Sequence, residues 1–271
     1  MIQSADDPLL GDYRQLRDPA RRMRVEQDGG FFIAEGITVV RRVLASPLHV
    51  RSVLVLEGRE HRVADLLRTP PGDPSQEDPP PLHIVSSEVM NALVGFDLHR
   101  GVLAAVDRPP WTPLDVLAQN SRRLAVLEGI NDHENLGAIA RSARALGMDG
   151  LVLDPTTADP WYRRSVRVSM GEIVALPMSR CTEWPGPLAA LREHGFTVIA
   201  LTPAADSVAI ADVVSAGCER VALMLGAEGP GLGAPALAAA DVRARIPIRA
   251  EVDSLNVGHA AAIAFAALGL P

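Results

Sequence analysis

Ile246-Pro-Ile-Arg-Ala-Glu-Val-Asp-Ser-Leu-Asn-Val-Gly-His-Ala-Ala-Ala-Ile263 reads as a short apolar strand, a polar turn and an alanine-rich helix. The turn puts Asp253, Ser254 and Asn256 where a helix begins. Unpaired backbone N–H groups point outward there, and small side-chain oxygens satisfy them. Alone, such a segment reads as a plain helix cap. Two segments upstream have the same design, and that repetition decides the fold.

The first is Leu127-Glu-Gly-Ile-Asn-Asp-His-Glu-Asn-Leu-Gly-Ala-Ile-Ala-Arg-Ser-Ala-Arg-Ala-Leu-Gly147. A strand ends, a polar loop follows, and Asn135 stands where a helix is expected to be capped. Leu136, Ile139, Ala140, Ala143 and Leu146 recur at helical spacing as one apolar face, with Arg141 off that face. The second is Leu225-Gly-Ala-Glu-Gly-Pro-Gly-Leu-Gly233, where four glycines allow close backbone approach and exposed N–H groups. It lacks the Lys-Ser/Thr of a P-loop and the spacing of the dinucleotide fingerprint, which argues against a dehydrogenase.

Around these segments lie apolar runs at 124–127, 150–153, 197–201, 221–225 and 244–248, separated by helical stretches such as 136–146 and 187–193. Continuous apolar strands alternating with helices imply an α/β fold with a parallel sheet covered on both faces. Ligands of such sheets sit beyond the carboxyl ends of the strands, where all three loops fall. The first hundred residues read as a smaller α/β unit. Its expected elements are a helix over 36–45, strands over 50–56 and 82–85, a helix over 87–93 and a strand over 101–106. The proline-rich stretch 69–81 reads as a surface loop, and Asp107-Arg-Pro-Pro-Trp-Thr-Pro113 as a stiff joint between domains.

Composition narrows the class. Hydrophobic residues make up 48% of the chain and aromatics only 4%, so the core is aliphatic. No apolar run is long enough to span a bilayer, and the acidic first residues do not read as a secretory leader. Cys181 and Cys218 have no paired spacing for zinc or redox chemistry and read as small buried hydrophobes of a reduced, cytoplasmic protein. Net charge is −7, which disfavours binding nucleic acid through the whole surface. All 26 basic residues are arginine, clustered at Arg14, Arg17, Arg21, Arg22 and Arg24 and at Arg163, Arg164 and Arg167. Each cluster reads either as a solvated helix face or as a set of RNA phosphate contacts.

Asn135-Leu-Gly-Ala-Ile-Ala-Arg141, Leu225-Gly-Ala-Glu-Gly-Pro-Gly-Leu232 and Ile246-Pro-Ile248 with Ser254-Leu-Asn-Val257 resemble the three signature motifs of the SpoU/TrmH family of RNA ribose 2′-O-methyltransferases. Arg167-Val-Ser-Met-Gly171 with Pro177 is similar to a fourth, minor block of that family. Glu35-Gly36 and Gly101–Val106 resemble parts of its L30e-like substrate-binding domain. The chain departs from the family pattern at Ile248, often methionine, at Gly258, often serine, and at Phe265–Leu268, where an aromatic-glutamate pair is common.

The resemblance implies an L30e-like domain over 1–106, a linker over 107–121 and a SPOUT methyltransferase domain over 122–271 whose sheet carries a trefoil knot. It implies S-adenosyl-L-methionine as cofactor, contacted by Thr202, Gly226, Ile246 and Leu255. It places Asn135, Arg141, Glu228, Ser254 and Asn256 at the active site, with Arg141 on the target phosphate and ribose and Glu228 organising the loops or pairing with Arg141. Arg21, Arg22, Arg163, Arg164 and Arg167 become the candidate RNA contacts. The expected partners are RNA, with 23S rRNA ahead of tRNA, and a second copy of the chain in a homodimer; no metal and no membrane are expected. A tRNA enzyme, an antibiotic-resistance methyltransferase and a non-catalytic RNA-binding protein remain as alternatives.

Overall fold

A computed structural model describes residues 1–14, 19–68, 78–94 and 101–268. Arg17 and most of the proline-rich stretch 69–81 lie outside the described residues. The chain divides into two compact units, residues 1–109 with 161–174, and residues 110–160 with 175–271.

The first unit is built from α1 (Pro19–Asp28), β1 (Phe31–Glu35), α2 (Ile37–Leu44), β2 (Val50–Leu56), α3 (His61–Arg68), β3 (Leu82–Val85), α4 (Ser87–Val94) and β4 (Val102–Asp107). Its strands form one sheet in the order β1-β4-β2-β3. β4 runs antiparallel to both of its neighbours, and β3 runs parallel to β2. The expected elements are present, with α2 opening one residue later because Gly36, at φ 91°, caps it. β1 and α1 had no clear sequence signal. Phe31-Phe-Ile-Ala-Glu35 is buried throughout and so shows no alternation. Tyr13 is sealed beneath the sheet, bonded to Ser52 and accepting from the Ala105 amide at 3.2 Å.

The second unit contains α5 (Leu114–Gln119), β5 (Arg123–Glu128), α6 (His133–Ala145), β6 (Gly150–Leu153), β7 (Met178–Arg180), α8 (Pro187–Glu193), β8 (Thr197–Leu201), β9 (Val208–Ala209), α9 (Ile210–Ala216), β10 (Val221–Gly226), α10 (Ala234–Ala238), β11 (Val242–Arg245) and α11 (Val257–Leu268). Between β6 and β7 the chain leaves for the first unit, to which α7 (Arg163–Val168) belongs. All seven strands are parallel, in the order β7-β6-β5-β10-β8-β11-β9. Leu223 of β10 sits in register with Ala125 of β5 and Ile199 of β8, so the most apolar strands occupy the centre. Leu124, Val126, Val152, Val198, Ala222 and Met224 pack with Leu188, Leu191 and Phe196 into an aliphatic core. α11 packs against α6.

Three local expectations need correction. The last long strand ends at Arg245 and does not continue through Ile246-Pro-Ile248, because Pro247 has no N–H to give a ladder. Asp132, not Asn135, caps α6, its carboxylate accepting from the Glu134 amide at 2.7 Å. Cys181 is buried as expected, but Cys218 is only half-buried.

Candidate active site

The loops that follow β8, β10 and β11, neighbours in the sheet, meet beyond its carboxyl edge and enclose a cavity of about 400 Å³. Leu201, Leu225, Ile246 and Leu255 give it apolar walls, while Thr202, Glu228, Ser254 and Asn256 bring polar groups. All four residues assigned by resemblance to the cofactor, Thr202, Gly226, Ile246 and Leu255, lie on this lining.

Gly226 has no room for a side chain as the loop stands. A Cβ there would stand 2.3 Å from the backbone of both Gly231 and Leu232, because the glycine loop folds back over the end of β10. The fold is closed by the Gly231 amide donating to the Ala227 carbonyl at 2.9 Å, with Gly229 and Gly231 at φ 86° and 72°. Backbone rather than side chain therefore forms this wall.

Asn256 ties the three motifs together. Its Oδ1 accepts from the amides of Gly258 at 3.0 Å and His259 at 3.3 Å, which caps α11. Its Nδ2 donates to Asn135 Oδ1 at 2.9 Å and to Glu228 Oε1 at 2.6 Å. The plain cap and the site residue are thus one side chain using both ends of its amide. Because Asp132 already caps α6, the buried Asn135 is left free to accept this bond.

Glu228 accepts from Asn256, and no bond between Glu228 and Arg141 is found among the described residues. Arg141 is exposed on α6 and is not among the residues lining the cavity. The structure brings Glu228, Ser254 and Asn256 to the cavity, joins Asn135 to them by one bond, and leaves Arg141 on the surface of the same helix as Asn135.

The sequence reading missed Asp154 and Glu128. Asp154 follows β6 and accepts from the Gly129 and Thr157 amides and from the Thr156 and Thr157 hydroxyls. Burial pushes its carboxyl upward, but those four hydrogen bonds outweigh burial and hold it below the ordinary value. It thereby fixes the start of the loop that leads to Asn135. Burial, reinforced by the nearby Asp154 charge, pushes the Cys181 thiol up to about 11. Glu128, at the end of β5, accepts from the Gly233 amide at 2.9 Å and from Trp184 Nε1 at 2.7 Å. An acid directly after an apolar parallel strand was the available signal.

The candidate RNA arginines separate. Arg22 is 0% exposed, bonded to Glu26 at 2.6 Å and to the carbonyls of Asp12 and Arg14, so it is part of the interior and cannot meet RNA. Arg21 and Arg164 are exposed. Arg163 and Arg167 flank the carboxylate of Glu35 at 3.8 and 3.6 Å within the first unit.

Known proteins share this architecture. The SpoU rRNA Methylase family matches residues 122–266. A relative in Mycobacterium tuberculosis, described as an uncharacterised tRNA/rRNA methyltransferase, is 44% identical over 96% of this chain and 88% of its own length. The 23S rRNA (guanosine(2553)-2′-O)-methyltransferase RlmP of Bacillus subtilis is 26% identical over 97% of this chain and 96% of its own. Among solved structures, the SpoU methyltransferase AviRb of Streptomyces viridochromogenes has the same fold, with a TM-score of 0.78 at 24% identity over 95% of this chain and 94% of that one. An AdoMet-bound rRNA methyltransferase of Sinorhizobium meliloti matches at a TM-score of 0.79 and 24% identity over 98% and 96%. The chain belongs to the SpoU rRNA methylase family of tRNA/rRNA methyltransferases.

Proposed function

We propose that this chain methylates a ribose 2′-hydroxyl of ribosomal RNA, with 23S rRNA as the substrate, and takes the methyl group from S-adenosylmethionine. The observation that carries this reading is the cavity closed by the glycine loop and the Ile246–Val257 loop, with the Asn135–Asn256–Glu228 chain of hydrogen bonds running from it. Its size and mixed lining suit a nucleoside-bearing molecule, and the glycine loop packed on Gly226 presents backbone to a ligand along that wall. Thr202, Gly226, Ile246 and Leu255 would hold it.

S-adenosylmethionine supplies a methyl group already activated by a positively charged sulfur. What remains for the chain is to orient a hydroxyl and to manage one proton. In this reading Asn135, Ser254 and Asn256 orient the ribose, and Glu228 keeps the two loops in place. Arg141 lies about 9 Å along the axis of α6 from Asn135. It meets the target phosphate and stabilises the developing alkoxide, since a guanidinium keeps its proton. Arg21, Arg163, Arg164 and Arg167 are the remaining RNA contacts. Residues 1–106 act as the L30e-like reader of a structured RNA loop, and the segments over 226–233 and 246–256 form the trefoil knot.

Exposed Ile248, Val252 and Leu255, together with Ile263 of α11 at 44% exposure, support a homodimer. Among the described residues no helix is long and apolar enough to cross a membrane. The RlmP relationship favours 23S rRNA over tRNA. The test is transfer of labelled methyl from S-adenosylmethionine to unmodified 23S, 16S and tRNA transcripts. Label in 23S alone supports the reading, label in tRNA alone replaces the substrate, and no label in any transcript or in ribosomal particles overturns the reaction.

A further inference from the structure

Glu128 has no assigned part in the reaction, yet it stands directly behind the wall of the cavity. Its two carboxylate oxygens are divided between two segments. Oε2 accepts from the amide of Gly233, where the glycine loop enters α10, and Oε1 accepts from the indole of Trp184, in the loop between β7 and α8. Both bonds are charge-assisted, and a carboxylate is the one side-chain group that accepts twice without donating.

The glycine loop is tightly packed at both of its ends. At its start, Gly226 is packed against the backbone of Gly231 and Leu232 so closely that a Cβ has no space. Gly129, next to Glu128 and at φ 66°, packs under Ala227: a Cβ there would stand 3.3 Å from the Ala227 side chain. At its end, a Cβ on Gly233 would sit 3.0 Å from Glu128 Oε1, a tight contact. Between these points the loop contributes Gly226, Ala227, Glu228, Gly229 and Gly231 to the cavity. Its glycines carry no side chains to pin it, so beside the Glu228–Asn256 bond its position depends on the two ends.

We infer that Glu128 is a positioning residue that holds the glycine loop in its cofactor-binding shape by anchoring the Gly233 amide. It does not touch the cavity, and it acts through the loop. The inference rests on the proposed reading that S-adenosylmethionine occupies this cavity. Trp184, partly buried against the core of the second unit, fixes the carboxylate in turn.

Glu128→Gln keeps the shape of the side chain but can accept only through one oxygen, so one of the two donors is lost. The variant is expected to bind S-adenosylmethionine roughly tenfold or more weakly by calorimetry. Its KM for RNA and its kcat at saturating cofactor stay near those of the parent. Trp184→Phe leaves the Gly233 bond in place and is expected to weaken the cofactor less than Glu128→Gln does. In the unaltered protein without cofactor, the Gly233 amide exchanges slowly with deuterium, a measurement that needs no variant.

Failure of the unaltered protein to bind S-adenosylmethionine removes the reading on which the inference stands. Binding by the parent with equal binding by Glu128→Gln overturns the inference alone. So does rapid exchange at Gly233, or a Trp184→Phe variant as weak as Glu128→Gln.

Discussion

Asn256 and Asn135 are 121 positions apart in the chain and joined by a 2.9 Å hydrogen bond between their side-chain amides. The same Nδ2 reaches Glu228 at 2.6 Å, so two loops and α6 are locked through one side chain. Asn256→Asp tests that arrangement. The carboxylate still accepts from the Gly258 and His259 amides, so the cap of α11 survives. It cannot donate, and it faces the Glu228 carboxylate. Methyl transfer is expected to fall by about a hundredfold, with the thermal midpoint little changed. Loss of fold alongside activity would mean that the lock is structural only.

Gly226→Ala forces a methyl group into backbone at 2.3 Å. The loop must move, at a cost of about 1–3 kcal/mol, and the wall of the cavity moves with it. Cofactor binding by calorimetry is expected to disappear while circular dichroism still reports the parallel sheet. Unimpaired binding would show that the loop is not part of the binding surface.

Arg22→Ala takes the 2.6 Å partner from buried Glu26, which keeps Arg108 at 3.8 Å, and removes the donor to the carbonyls of Asp12 and Arg14. It is expected to cost about 1–3 kcal/mol in denaturant unfolding. Arg164→Ala, at an exposed position, is expected to leave stability unchanged and to weaken RNA binding with a shallower salt slope. Equal effects of the two variants on RNA affinity at unchanged stability would contradict the interior role of Arg22.

Asp154 gives a pH signature. A carboxyl held below its ordinary value when folded is ionised in both states above about pH 4. Its contribution is therefore fully present there and is lost as pH falls through the folded value. Asp154→Asn is expected to cost about 1–3 kcal/mol at neutral pH, with the gap from the parent closing in acid. A gap independent of pH would mean that the carboxylate charge plays no part.

The two cysteines are expected to differ. Cys181 is buried with its thiol raised to about 11, so alkylation at pH 8 in the folded protein labels the half-buried Cys218 first. Earlier labelling at Cys181 would contradict its burial.

Strands such as 150–153 and 197–201 were readable because a strand buried on both faces needs a continuous apolar run, and the residue alphabet records that directly. The loops were readable because glycine and small polar residues at strand ends have few other uses. Strand order was not readable, since nothing in Val221–Leu225 says that it inserts between β5 and β8. Arg22 and Arg164 look alike in a list of arginines; only packing decides that one is interior and one exposed. Nor does composition tell that 161–174, between two strands of the second unit, belongs to the first. Glu128 was missed because its partners, Gly233 and Trp184, are 105 and 56 positions away.

The most direct test of the account is mass spectrometry of nuclease-digested rRNA after incubation with the protein and isotopically labelled S-adenosylmethionine. The account predicts one labelled nucleoside in 23S rRNA with the methyl on its ribose, absent when Asn256→Asp replaces the parent. Label on a base instead of a ribose, or equal label with Asn256→Asp, would contradict it.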